Sequence, residues 1–177
     1  MMQFSPDDPR ILRACLAVDP GPTRSAFTYM AAFRTGQIPV LRTWYVPHDR
    51  AGLWSRLLLL KAQRDIFAVE TARILYPGIN ATQLLETKEV EGRVKEGAEV
   101  RGFTLAPTFA AAAQTPQPYV EVAAADCRRA LLGPEILAIR CELDPVIRYV
   151  IEAIYGAELP PVEGVTRDAW VHVYDAI

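Results

Sequence analysis

Two short apolar runs in this chain each stop at a carboxylate. Ala14 to Val18 ends in Asp19-Pro20-Gly21, and Ile66 to Val69 ends in Glu70. A continuous apolar run of a few residues, closed by a turn signal, reads as a buried strand. Two such strands side by side in one sheet would carry both acids to a single sheet edge. That placement constrains where the remaining segments can lie.

The other segments supply the layers around those strands. Ser25 to Phe33 is a further apolar run, and Gly36 turns the chain into Ile38 to Val46, rich in β-branched and aromatic residues. Three strands joined by short turns predict an antiparallel meander. Pro47, His48 and Asp49 then open a helix, with Asp49 as cap and Leu53, Leu57 and Leu58 at helical spacing. The strand Asp65–Glu70 comes next, and Pro77-Gly78 breaks the chain after it. A long helix is predicted from about Asn80–Thr82 to Arg101, its charges alternating in sign, with Glu89/Arg93 and Glu91/Lys95 at the favourable four-residue offset. Its Gly92 and Gly97, with Gly102 just after, allow close approach by another element. Tyr119 to Val122 reads as a strand, and Ala123–Leu132 and Pro145–Tyr155 as helices. After a loop at Pro160-Pro161, a last helix runs from about Thr166. The expected fold is α/β, a mixed five-stranded sheet (three antiparallel strands, then two parallel) flanked by helices. Residues 1–12 read as an N-terminal arm and 13–177 as one domain.

Composition narrows the class. No apolar run is long enough to cross a bilayer; the densest, Leu57 to Leu60, is flanked by Arg56 and Lys61. Met1 to Arg10 holds Asp7 and Asp8 and lacks an apolar signal core, so a cytoplasmic protein without a membrane partner is expected. Cys15, Cys127 and Cys141 have no CxxC spacing and read as small apolar core residues rather than a disulfide framework or zinc site. The net charge of −2 does not announce a nucleic-acid protein, but sixteen of the nineteen basic residues are Arg. Arg is the residue favoured for planar, two-pronged phosphate contacts.

Asp168, in the first turn of the last helix, is the third acid at a structurally loaded position. Asp19, Glu70 and Asp168 together would form a hard oxygen cage suited to Mg²⁺ or Mn²⁺. Two ions roughly 3.5–4 Å apart would activate water and stabilise the leaving oxygen at a phosphodiester. On the last helix Asp168, His172 and Asp175 share one face, with Trp170, Val173, Tyr174 and Ile177 opposite. His172 and Asp175, with Glu163 in the preceding loop, are candidates for additional ligands.

These segments resemble the RuvC family of Holliday-junction resolvases. Leu16-Ala17-Val18-Asp19-Pro20-Gly21 looks like the family's first catalytic strand and Phe67-Ala68-Val69-Glu70 like its second. The charged helix near 84–101 stands in the place of its dimerising helix. Val120 to Gly133, with Ala-Ala-Asp-Cys-Arg-Arg, resembles the following strand and helix, and Asp168-Ala169 resembles the start of the last helix. The resemblance covers roughly residues 12 to 177, and the order and spacing of the motifs are more specific than any one of them. It implies an RNase H-like fold and a homodimer that binds four-way DNA junctions. It also implies symmetric cleavage of two opposing strands, with two Mg²⁺ or Mn²⁺ ions per site and Asp19, Glu70 and Asp168 as catalytic metal ligands. The divergence suggests a phage or prophage version.

The chain departs from the family pattern twice. Three residues before Asp168, where the family carries an acid or histidine, stands Val165. Three residues after Glu70, where an aromatic wedge is common, stands Arg73, with Tyr76 the nearest aromatic. Arg73 is expected to contact phosphate and Tyr76 to stack on a base, worth about 1–3 kcal/mol. Arg128 and Arg129 are candidates for the cleaved strand's phosphate, although adjacent helical residues point about 100° apart. The alternatives are a YqgF-like RNase H-fold nuclease acting on RNA and a non-catalytic branched-DNA-binding dimer. An actin-like ATPase would need a longer chain and a second glycine-rich phosphate loop.

Overall fold

A computed structural model of the chain describes residues 5–71, 81–137, 143–155, 162–163 and 177. The two acid-terminated runs lie side by side at the sheet centre. They belong to β1 (Ile11–Pro20) and β4 (Ile66–Thr71), which pair in parallel. Strands β2 (Arg24–Phe33) and β3 (Val40–Pro47) extend β1 as the antiparallel meander. On the other side β6 (Pro118–Ala123) pairs parallel with β4.

The sheet is wider than the five strands expected. Among the described residues it has six strands of three residues or more and a two-residue seventh, in the order β5-β6-β4-β1-β2-β3-β7. The additions are β5 (Thr104–Ala106), parallel to β6, and β7 (Val162–Glu163), parallel to β3. Both are too short for a period of two to show in the sequence. The helices are α1 (Arg50–Leu57), α2 (Ala81–Val100), the single turn α3 (Phe109–Ala112), α4 (Ala124–Leu137) and α5 (Leu143–Tyr155). Asp49 caps α1 by accepting from the Ala51 and Gly52 amides. Gly133 breaks α4 with φ +74°, a conformation that favours glycine. The last predicted helix and the Pro160-Pro161 loop lie outside the described residues.

Alternation along the strands divides the core. Leu16, Val18, Phe67 and Val69 face one way and are sealed by Leu53 and Leu57 of α1 and Val90, Val94 and Ala98 of α2. Ile66, Val120 and Val122 face the other way, against Ala106 and Ala112, with Cys15 beside them. Leu132, Ile147, Ile151 and the chain's final residue, Ile177, pack together on α4 and α5. Two apolar assignments fail. Leu58 is the C-cap of α1 and is exposed, since the helix stops before its face could bury. Cys127 is exposed on the first turns of α4, whereas burial pushes the Cys15 thiol up to about 12, despite nearby Arg13.

Buried carboxylates hold two junctions. Asp65 accepts from the Ala14 amide of β1 at 2.8 Å and from the Lys61 and Ala62 amides at 2.8 and 2.9 Å, tying the start of β4 to β1. On α2, Glu91 is buried and bonded to Lys88 at 2.8 Å and Lys95 at 2.6 Å, while Lys95 also reaches Glu121 of β6 at 2.8 Å. Burial opposes ionisation of Glu91, but the bonds from Lys88 and Lys95 outweigh it and hold the carboxyl below its ordinary range. A depressed native value contributes stability above the unfolded value of about 4.3, lost as pH falls through the native one. Glu91→Gln is therefore expected to cost roughly 1–3 kcal/mol at pH 7. That difference should shrink towards pH 3, as followed by urea denaturation at both values.

Candidate active site

The turn after β1 sets the position of Asp19. The Gly21 amide donates to the Arg24 carbonyl at 3.1 Å, so β2 begins immediately and Asp19 pairs with Ala26. A Cβ at position 21 would meet the Arg24 oxygen at 2.6 Å, which reserves the position for glycine. Across the parallel pair the register runs Cys15↔Ile66, Leu16↔Phe67, Ala17↔Ala68 and Val18↔Val69. The next positions are Asp19 and Glu70. Registered neighbours on adjacent strands share a face, so both acids turn away from the Val18–Val69 side and towards α4 and α5.

Glu70 is half-buried, its Oε2 is buried, and its residue pairs with Val122 in β6. Strand β6 passes directly into α4, whose first turns border the same space. Asp126 and Arg128 line a cavity of about 570 Å³ together with Glu70, over an apolar wall that includes Ala17, Ala68 and Ile147. Ile177 lines it too, so the end of the chain returns to the face that carries Glu70.

The described residues bring together part of the expected set. Asp19 and Glu70 each follow the last registered pair, Val18↔Val69, at one end of the β1–β4 pair. Arg128 is half-buried beside Glu70 in the cavity, whereas Arg129 is exposed and pairs with Asp126 at 3.4 Å, the divergence expected of helix neighbours. The backbone of Glu163 pairs with Trp44 in β7, with β2 and β3 between it and β1, so it is not brought to this edge. Asp168, His172, Asp175, Val165, Arg73 and Tyr76 lie outside the described residues. Asp126 had no signal in the sequence: an acid in the first turn of a helix is ordinary, and its place beside Glu70 comes from the direct β6–α4 junction.

Carboxylates on neighbouring strands, about 4.8 Å apart at the backbone, fit a hard divalent ion in kind. Among the described residues no group of three or more His, Cys, Asp or Glu side chains could hold a metal.

A parallel pair ending in acids, extended by an antiparallel meander and flanked by helices, defines an RNase H-like fold of the RuvC type. Thermus thermophilus RuvC superposes with a TM-score of 0.55 at 16% identity, over 92% of this chain and 88% of that one. The same protein in complex with Holliday junction substrate gives 0.55 at 14% identity, over 92% and 87%. The yeast mitochondrial Holliday junction resolvase Ydc2 aligns at 0.47 with 9% identity, over 97% and 78%. No protein-family model and no curated protein sequence matches the chain. Identities at this level establish the shared architecture.

The turn gives a direct test of how Asp19 is held. Gly21→Ala is expected to cost about 1–3 kcal/mol, the range for forcing an atom into filled space, read as a lowered Tm by calorimetry. An unchanged Tm would show that the turn opens without cost.

Proposed function

We propose that this protein is a divalent-metal-dependent endonuclease that cuts four-way DNA junctions as a homodimer. The observation that carries the reading is the register that lays Asp19 beside Glu70 at the edge of a RuvC-type sheet. The junction-bound state of the Thermus protein, which shares this fold, gives the substrate class.

Asp19 and Glu70 would hold the metal ions, with Asp168 as the third carboxylate. Ile177, a short stretch of chain beyond Asp168, lines the cavity that Glu70 lines, which supports bringing that acid to the same face. With Val165 where the family has a ligand, His172 and Asp175 are the candidates to complete the set. Mg²⁺ or Mn²⁺, when bound, supplies Lewis-acid activation of water and charge neutralisation at the scissile phosphate. Arg128 offers a guanidinium beside the carboxylates, and Arg129, Arg73 and Tyr76 are assigned to DNA contact further out.

Symmetric cutting needs two sites related by a twofold axis. The outward side of α2 carries exposed Leu85 and Val100, and a Cβ at Gly92 would meet nothing within 4 Å. That face is assigned to the partner protomer. Leu85→Lys is expected to shift the sedimenting species from dimer to monomer, and an unchanged dimer would refute the assignment.

Catalysis is tested on a synthetic four-way junction with Mg²⁺ or Mn²⁺. Wild type is expected to cut. Asp19→Asn, Glu70→Gln and Asp168→Asn should each lose about 10²–10³-fold or more in rate while keeping junction affinity in Ca²⁺. Wild type that binds without cutting would instead establish a non-catalytic DNA-binding dimer. Cleavage of RNA in preference to the junction would establish the YqgF-like reading.

A further inference from the structure

The cavity that Glu70 lines is larger than a metal-bound phosphate needs. It reaches down the sheet as far as Cys15, which pairs with Ile66, four residues before Glu70 on β4. At about 3.3 Å per residue that is a depth of roughly 13 Å. Glu70, Asp126 and Arg128 stand where β4 ends and α4 begins. Away from them the walls are apolar, with Ala17 and Ala68 from the sheet, Leu131 from α4 and Ile147 from α5. Among the described lining residues one carries an aromatic ring, Phe109.

Phe109 is the first residue of α3 and is 51% exposed. The backbone that carries it is anchored by its neighbours. Thr108 Oγ1 accepts from the Ala111 amide at 3.1 Å, and the Thr115 hydroxyl donates to the Ala111 carbonyl at 3.0 Å. Ala112 is fully buried in the cluster that holds Ile66 and Val120, and its carbonyl accepts from Arg13 of β1 at 3.4 Å. The ring is therefore presented by a turn that it does not itself hold together. A phenylalanine has no polar atom to offer, so what faces the cavity is an apolar plane.

We infer that Phe109 stacks on an unpaired nucleobase of the DNA strand held at Glu70, so that the cavity takes one base as well as the phosphate at its acidic end. The inference rests on the DNA-junction function proposed for this chain and adds a base contact to the same site. The base is the part of a nucleotide with flat, apolar faces, and it hangs from the sugar-phosphate that the acidic end would hold. The volume of about 570 Å³ lies within the roughly 300–1,000 Å³ of small-molecule sites. Ala17, Ala68, Leu131 and Ile147 offer no side-chain donor or acceptor to a base edge. The contact therefore reads the face of a base, and stacking of that kind tolerates every base.

The test crosses the protein ring with the DNA base. Labelled synthetic four-way junctions carry an abasic residue in place of each base flanking the branch point in turn. Their affinities are measured by fluorescence anisotropy in Ca²⁺, over a series of salt concentrations. Wild type is compared with Phe109→Leu, which stays apolar but loses the plane, with Phe109→Tyr, which keeps the plane, and with Leu105→Ala as control. Leu105 is 49% exposed on β5 and does not line the cavity. Wild type is expected to bind one abasic junction roughly tenfold more weakly than the intact one. Phe109→Leu should bind the intact junction roughly tenfold more weakly than wild type and no longer distinguish the two. Phe109→Tyr and Leu105→Ala should keep the wild-type preference. The slope of log affinity against log salt should stay the same throughout, since the ring carries no charge. Wild type that binds every abasic junction as tightly as the intact one, or Phe109→Leu that keeps the preference, would overturn the base contact and leave the nuclease reading intact. So would a loss in Phe109→Leu that came with a smaller salt slope. A wild type with no affinity for the junction would overturn both.

Discussion

The parallel register between β1 and β4 is the constraint on which the site depends. Side chains on a strand alternate with a period of two, so a slip of one residue would send Asp19 and Glu70 to opposite faces. What prevents the slip is packing on the side away from the acids. Leu16, Val18, Phe67 and Val69 are at most 1% exposed beneath α1 and α2, and a slip would replace each of them with a residue of the other face. Asp65 reinforces the register at the opposite end, where its carboxylate takes the β1 amide of Ala14 and the two amides that precede β4. The acids are thus positioned by hydrophobic burial on the face they do not occupy.

The two faces are built differently. Under α2 the polar contacts are tight: Glu91 binds Lys88 and Lys95, Lys95 crosses to Glu121, and the Tyr119 hydroxyl donates to Glu99 at 2.7 Å. Buried ion pairs add little net stability but penalise alternative arrangements. Here they fix how α2 is rotated on the sheet, and so which residues point outward. On the α4–α5 face the wall beside Glu70 is a broad cavity instead, bounded by the first turns of α4 and by the chain's last residue. One face holds the geometry and the other leaves an open cavity beside Glu70.

How far the sequence could be read depends on the length and sign of its signals. The long apolar runs and the capped start of α1 were legible because period, length and punctuation agreed. Strands β5 and β7 were not, since three and two residues carry no period, and β3, the parallel neighbour that defines β7, is distant in the chain. Charge spacing was ambiguous in a different way. Glu89/Arg93 and Glu91/Lys95 have the same four-residue offset, yet one pair is exposed and the other has a buried acid, because only packing tells a solvated face from an interface. Cys127 shows the same limit, being an apolar residue by type that is exposed by position. Of the three acids read as a site, Asp19 and Glu70 end neighbouring strands through a register that local pattern could suggest but not enforce. Asp168 lies outside the described residues.

The net charge of −2 also means less than its sign suggests. Of the three lysines, Lys88 and Lys95 are engaged inside the fold with Glu91. Many of the arginines lie instead over aromatic planes: Arg24 over Tyr45, Arg42 over Trp44, and Arg50 and Arg101 both over Trp54, the last at 4.3 Å from the ring centre. An ammonium in those places would have no ring-matched plane and would spend more side-chain freedom on each phosphate it met. For a protein whose own site is acidic, the total charge therefore says little about affinity for a polyanion. The arginines stacked on the β2–β3 and α1 surfaces are ordered in advance, while Arg128 stands beside Glu70 in the cavity.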